Sequence, residues 1–253
     1  MKFEIKQEKL ENMLDKLLLK DMFGSSILCF KNKKAFSIQR EESGRALRFA
    51  KFEKSFFESI DDEEAVIEID TKKLLSILKQ SLSKSVLTVS IDKNKLSVKG
   101  EKTYIRLSYK EPDESEVIKE LTFTFQKGVP LIGEQKVLLD TYFTMEIGDF
   151  KELANYGGTL KTDFYKFSFN KDKIEARIGD LHEFSDYVLF TPTGEIKKGN
   201  LKEVIFTYGM QQIASTFENI VEVRTKTNSP AWIFEGTKEY VVGVLIPPYV
   251  NEE

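Results

Sequence analysis

The sequence predicts an α+β protein built of two similar halves. Three observations predict it. Four segments of the 253-residue chain carry apolar residues at the 3.6-residue period of a helix. Between them lie short runs with period-two alternation or with β-branched and aromatic enrichment. The order strand, helix, several strands, helix, several strands then recurs in each half, as a duplication of architecture rather than of residues.

The first helix is expected over about Gln7 to Lys20, where Leu10, Met13, Leu14, Leu17 and Leu18 recur at i, i+3, i+4, i+7 and i+8. The second covers Thr71–Leu82, with Asp70 as N-cap and Leu74, Leu75, Leu78 and Leu82 inward. The third begins near Gly148 with Asp149 in its first turn; Phe150, Leu153 and Ala154 face the core, and Gly157-Gly158 ends it. The fourth lies around Tyr208 to Glu218 and buries Met210, Ile213, Ala214 and Phe217. In the first half, strands are expected at Ser26–Phe30, Ala35–Gln39, Ala65–Ile69, Val86–Ile91, Leu96–Val98 and Tyr104–Tyr109. In the second they are expected at Tyr142–Ile147, Phe164–Asn170, Lys173–Ile178, Tyr187–Phe190, Val204–Tyr208, Ile220–Thr225, Ala231–Phe234 and Tyr240–Leu245. Lys93-Asn94, Asn170-Lys171-Asp172, Thr193-Gly194 and Asn228-Ser229-Pro230 supply turns. The acidic stretch KEPDESEVIK, from Lys110 to Lys119, breaks the apolar pattern and opens a connector.

Composition narrows the chemistry. A formal charge of -3 means that any nucleic-acid contact must come from a local patch, since proteins that coat nucleic acid are usually basic overall. Cys29 and His182 are the only cysteine and histidine, so the chain can form no internal disulfide and no Cys/His zinc site. His182, in DLHEFSDY, has no nucleophile elbow around it and reads as a surface or turn histidine. Neither GxxxxGK[ST] nor GxGxxG is present, and nothing singles out a carboxylate pair. Nothing here points to an enzyme, a metal or a cofactor. No apolar run approaches a membrane span, and MKFEIKQEKL lacks a signal-peptide apolar core, so the expected location is intracellular. That is cytoplasm or nucleoid for a prokaryotic or viral source, and the nucleus for a eukaryotic one.

Four stretches in order carry a family resemblance. VIEIDTKKLLSILKQSLSKSVLTVSIDKNKLSVKGEKTYIRLSY resembles the second half of the first domain of archaeal and eukaryotic DNA sliding clamps, the proliferating-cell nuclear antigen family. FTMEIGDFKELANYGGTLKTDFYKFSFNKDKIEARIGD is similar to the start of the second domain, and NSPAWIFEGTKEYVVGVLIPPYVNEE to the C-terminus. The opening MKFEIKQEKLENMLDKLLLK fits the first strand and helix. The resemblance implies the DNA clamp fold: two domains, each of two helices packed on antiparallel sheets, forming a six-domain ring as a trimer. It places an N-terminal domain at 1–112, an interdomain connector at 113–137 and a C-terminal domain at 138–253. By position, Lys173–Ile178 and Leu96–Lys99 with Thr103–Tyr109 are the strand edges expected to pair between subunits. The implied function is a processivity factor for DNA replication that encircles duplex DNA without reading sequence. Its implied partners are a clamp loader, DNA polymerase and other proteins with clamp-binding peptides.

A ring around DNA needs cations on its helix faces. Lys9, Lys16 and Lys20 are expected opposite the apolar stripe of the first helix, Lys72, Lys73 and Lys79 on the second, and Lys151, with Asn155 one turn on, on the third. Glu152 on the third helix, and Gln211, Gln212, Ser215 and Glu218 on the fourth, depart from a basic face. The first domain should therefore carry the DNA contact. The departure also supports an alternative, a clamp paralogue working in a heteromeric ring or as a regulator of clamp partners. The partner groove is expected from Val129, Pro130, Leu131 and Ile132 in the connector and from Pro230, Leu245, Ile246, Pro247 and Pro248 near the C-terminus. Leu121–Phe125 reads either as the last strand of the first domain or as an insertion in the connector, the insertion being favoured, and Arg40 makes the groove more polar.

Overall fold

The computed structural model describes residues 1–80, 85–112, 123–126, 129–132, 137–138, 141–170, 173–179, 186–199, 201–226 and 230–246; at 123–138 it describes the backbone alone. The chain forms two units. The first comprises Met1–Glu42, Arg48–Ile118 and Gly236–Val242, the second Ser43–Leu47, Lys119–Glu235 and Gly243–Glu253.

In chain order the first half runs β1 (Lys2–Lys6), α1 (Gln7–Leu18), β2 (Ser26–Lys31), β3 (Lys34–Arg40), β4 (Leu47–Phe52), a 3-10 turn (Lys54–Phe56), β5 (Ser59–Ile60), β6 (Ala65–Ile69), α2 (Thr71–Leu78), β7 (Val86–Asp92), β8 (Lys95–Lys99) and β9 (Tyr104–Ser108). One antiparallel sheet has the order β5-β1-β7-β8-β9, and β4-β3-β2-β6 run side by side in another. Alternation along β1, β7 and β8 buries Phe3, Ile5, Leu87, Val89, Ile91, Leu96 and Val98. Phe3 carries this core across to the other sheet, 5.4 Å from Phe30 and 5.3 Å from Phe57. The helices lie against each other and bury Leu10, Met13, Leu14, Leu17 and Leu18 of α1 with Leu74, Leu75 and Leu78 of α2. Asp70 caps α2 as expected, its Oδ1 accepting from the Lys73 amide at 2.9 Å.

The first helix is shorter than its sequence suggests. Leu19, Lys20 and Asp21 all adopt left-handed backbone, with φ of 44°, 49° and 65°, so Lys20 lies beyond the helix. The fully buried Arg48 holds that end, donating to the Leu17 carbonyl, to Ser37 Oγ at 2.7 Å and to Gln39 Oε1 at 2.9 Å, with its guanidinium 4.6 Å from the Phe23 ring centre. A cation on an open C-terminal carbonyl is what the helix dipole favours. Burial nevertheless lowers the Arg48 pKa to about 9.

The second half runs β10 (Phe123–Gln126), β11 (Val129–Ile132), β12 (Val137–Leu138), β13 (Thr141–Met145), α3 (Ile147–Leu160), β14 (Tyr165–Asn170), β15 (Lys173–Gly179), β16 (Tyr187–Phe190), β17 (Ile196–Lys198), β18 (Glu203–Phe206), α4 (Met210–Thr216), β19 (Val221–Thr225), β20 (Ala231–Gly236) and β21 (Tyr240–Ile246). The second unit contains the sheets β10-β11-β12 and β16-β15-β14-β18 and the neighbours β17-β13-β19-β20. Phe143, Phe167 and Phe206 pack through its core in tilted and edge-to-face contacts, with ring centres 5.9 and 5.7 Å apart, and α3 lies against α4. The buried Glu235 carboxylate accepts from the amides of Glu218 and Asn219, each at 2.7 Å, and so fixes the chain leaving α4.

Two helix boundaries correct the sequence reading. Gly157-Gly158 does not end α3, which continues to Leu160 and stops at the left-handed Lys161, φ 54°. Gly157 is there for space: a Cβ on it would lie 1.8 Å from the Tyr165 hydroxyl. The fourth helix starts at Met210 rather than Tyr208, because Gly209 at φ 77° interrupts helical backbone. The second helix ends at Leu78, with Lys79 as its cap, short of the expected Leu82, which itself lies outside the described residues, as do Lys171-Asp172, Asn228-Ser229 and His182. β4, β5 and β17 carry no alternation long enough to have been anticipated.

Candidate nucleic-acid interface

The helix faces decide which cations meet solvent. At roughly 100° per residue, Lys9 and Lys16 sit only about 40° and 60° from Met13 on the helical wheel, beside the apolar stripe rather than opposite it. The structure accordingly turns both inward. Lys16 is 1% exposed, with its ammonium 5.0 Å from the Tyr240 ring centre. Lys9 is half-buried, its Nζ 2.9 Å from Glu239 and 5.4 Å from the Phe56 ring centre. Neither presents a charge outward, and the expectation of a DNA-facing Lys9–Lys16–Lys20 row is corrected. Lys20 is exposed, but on the left-handed turn after α1. The solvent face of α1 consists of Glu8, Glu11, Asn12 and Asp15, which is acidic. Its spacing of three, one and three residues was readable in the sequence; attention to lysines alone passes over it.

Apart from Lys20, the expected DNA-facing lysines of the first unit that are exposed lie on α2 or at its C-cap. Lys72, Lys73 and Lys79 all lie at the surface. Lys72 pairs with Asp21 at 3.0 Å and Lys79 with Asp15 at 3.2 Å. Lys73 has no ion pair among the described residues, and its position in the first turn is one the helix dipole disfavours. In the second unit Lys151 is exposed and without an ion pair among the described residues, with Glu152 beside it and Asn155 one turn on. Gln211, Gln212 and Ser215 form the polar side of α4, and Glu218, expected on the same helix, lies beyond its end at Thr216, so that helix offers no cation. Four lysines therefore form the exposed candidate set on helices: Lys72, Lys73, Lys79 and Lys151.

Strand edges are the second feature. Among the described residues β9 pairs only with β8, leaving one side of its backbone open beside Tyr104, which is 63% exposed. β16 pairs only with β15 and carries Tyr187 and Leu189, 48% and 56% exposed. Two aromatic or aliphatic edges of this kind invite strand pairing with another chain. Lys173–Ile178 is an edge only in part, contrary to expectation, because β15 is paired with β14 along its length and with β16 from Ala176 onward. Leu96–Lys99 is likewise internal, between β7 and β9.

The expected groove residues fall in several settings. Val129, Pro130, Leu131 and Ile132 form β11, paired with β10 from Phe123↔Ile132 to Gln126↔Val129. Among the described residues β12 pairs only with Leu131 and Ile132, so Pro130, which has no N–H to donate, has no partner on that side there. The Phe123–Gln126 strand joins this hairpin in the second unit, not the β5–β9 sheet. Pro230 and Leu245 are half-buried, Arg40 is exposed, and Ile246 is 1% exposed and therefore core. Pro247 and Pro248 lie outside the described residues. Among the described residues no group of three or more His, Cys, Asp or Glu could hold a metal ion, and no helix is long and apolar enough to cross a membrane.

No protein-family model and no curated protein matches the chain. Solved structures do. The structure of A. fulgidus PCNA with the C-terminal region of FEN-1 bound is similar at TM-score 0.78 and 18% identity, covering 100% of this chain and 99% of that one. PCNA from Entamoeba histolytica is similar at TM-score 0.77 and 12% identity, covering 98% of each chain. PCNA from Thermococcus kodakaraensis is similar at TM-score 0.75 and 15% identity, covering 98% of this chain and 99% of that one. From end to end, the chain has the fold of the PCNA-type DNA sliding clamp.

Proposed function

We propose that the chain is a DNA sliding clamp, a non-enzymatic processivity factor that assembles as a trimeric ring around duplex DNA and tethers replication and repair proteins. The observation that carries this reading is the likeness to three PCNA structures over 98 to 100% of the chain. Two further features support it. The open edges of β9 and β16 carry exposed Tyr104, Tyr187 and Leu189, suited to head-to-tail pairing between copies, which removes both edges when the ring closes. The lysines of α2 supply a sequence-independent attraction for phosphates. Val129–Ile132, Pro230 and Leu245 are the residues we assign to partner peptides; the A. fulgidus PCNA to which the chain is similar binds the C-terminal region of FEN-1. A clamp loader and a polymerase complete the partners, and the chain acts within the cell.

The test is polymerase processivity on circular primed DNA with a loader, together with the mass of the chain in solution. Loader-dependent stimulation and a trimer mass are expected, and Leu189→Asp should shift the mass to monomer. Monomer alone for the unaltered chain, with no stimulation, overturns the reading. A second reading is favoured by the acidic α1 face and the uncharged α4: a subunit of a heteromeric ring, or a regulator of clamp partners. It predicts trimer mass or stimulation only when a second clamp chain is added.

A further inference from the structure

We propose that Asp15 and Asp21 are built-in competitors of the DNA backbone, holding two of the three α2 lysines and setting how weakly the chain grips a duplex. This inference rests on the DNA-binding reading of the α2 lysines. Asp15 reaches Lys79 at 3.2 Å and Asp21 reaches Lys72 at 3.0 Å. Both carboxylates come from α1 or the turn that ends it, and the lysines from α2 (Lys72) and its C-cap (Lys79), so the pairs bridge neighbouring segments. Every member is more than half exposed: 52% for both in the first pair, 60% and 65% in the second.

That exposure matters to the mechanism. An exposed ion pair contributes little to folding, so the lysine can exchange its carboxylate for a phosphate oxygen without cost to the core. Each phosphate contact at Lys72 or Lys79 must first displace an intramolecular anion, whereas Lys73 and Lys151 face no such competitor among the described residues. The backbone reinforces the placement. Asp21 is the third of three successive left-handed residues, at φ 65°, a conformation that non-glycine residues rarely adopt. That turn delivers Asp21 to Lys72. The remaining acids of α1, the exposed Glu8 and the half-buried Glu11, lie on the same side as Asp15 and extend the repulsion. Together the α1 face and the α2 lysines come close to electrical neutrality, which suits a protein that must stay on DNA yet slide.

The experiment uses the full-length chain and a fluorescent duplex of about thirty base pairs, long enough to span more than one turn, by anisotropy from low to physiological salt. Asp15→Asn with Asp21→Asn should bind about tenfold tighter near 0.1 M salt, and the slope of log affinity against log salt should steepen by about two per chain engaged. An isocharge control, Asp92→Asn with Glu101→Gln, should leave affinity and slope within about twofold of the original. Equal tightening in the control and the test variant would mean that net charge alone acts, and overturns the proposal. No change in D15N/D21N, while Lys72→Met with Lys79→Met weakens binding, also overturns it but leaves the clamp reading standing. Indifference of DNA binding to every variant, lysines included, removes the DNA-facing role of α2 itself.

Discussion

Gly157→Ala is a sharp probe of how the second unit is built. Glycine inside a helix is normally a liability, and alanine there gains about 1 kcal/mol of helix propensity. At Gly157 the gain is overridden. An added Cβ would lie 1.8 Å from Tyr165 Oη, 2.6 Å from its Cζ and 3.0 Å from the Thr162 carbonyl. Ordinary carbon contacts are about 3.5 Å or longer, so the ring tip must retreat by roughly 1.5 Å. It has nowhere to go: Tyr165 is 0% exposed, and its strand is held by β15 on one side and β18 on the other. Overpacking of this kind costs about 1–3 kcal/mol, and with no room for the ring to move the upper part of that range applies; set against about 1 kcal/mol of propensity gained, a net loss of about 1–2 kcal/mol is expected. For a chain of this size that corresponds to a fall in Tm of about 3–6 °C. Gly158 is the internal control, because its Cβ would meet only Gln211 at an ordinary 3.6 Å. Gly158→Ala should therefore raise stability by about 0.5–1 kcal/mol. Calorimetry or urea unfolding checks both, and Gly157→Ala with Tyr165→Phe should recover part of the loss, since Cζ remains close. A Gly157→Ala variant as stable as the original would refute the packing explanation and return Gly157 to the role of a mere helix signal.

Three further outcomes are expected. Asp70→Ala should lower stability by about 1 kcal/mol in urea unfolding, by leaving the Lys73 amide uncapped at the start of α2. Lys16→Met should leave the salt dependence of duplex binding unchanged because its ammonium is buried, whereas Lys73→Met should reduce the salt slope by about one. Burial, with Asp163 nearby, pushes the Tyr165 hydroxyl up to about 12 from its ordinary 10.0. The unfolded chain then loses this proton before the folded one, so the contribution is full below pH 10 and is lost as pH rises through about 12. Unfolding followed between pH 9 and 11 should show an alkaline loss that Tyr165→Phe lacks; an unchanged slope counts against a neutral buried phenol.

Much of the fold was legible because periodicity is a local property. The leucine stripe of α1, the Asp70 cap and strands such as Ala65–Ile69 and Tyr187–Phe190 each follow from a few neighbouring residues and the spacing of their apolar side chains. The acidic α1 face was legible too, as the complement of the same stripe. What the sequence could not decide were contacts made at a distance. Whether Lys16 meets solvent depends on Tyr240, more than two hundred residues away, and whether Lys9 does depends on Glu239 and Phe56. The end of α1 was set by three left-handed residues and by Arg48, whose guanidinium arrives from β4. Gly157 looks like a stop signal until Tyr165 is placed against it. The edge at Thr103–Tyr109 was placed correctly as β9, but Leu96–Lys99 and the second-unit edge were misassigned for the same reason, since only the hydrogen-bonded order shows that β8 is internal, that β15 is covered from Ala176 onward and that β16 is open. By itself, the sequence determined the elements and their order, because helix and strand propensity act over a few residues. The tertiary structure decided which charges face water and which glycine is indispensable, because burial, ion pairing and close packing are set by residues that only folding brings together.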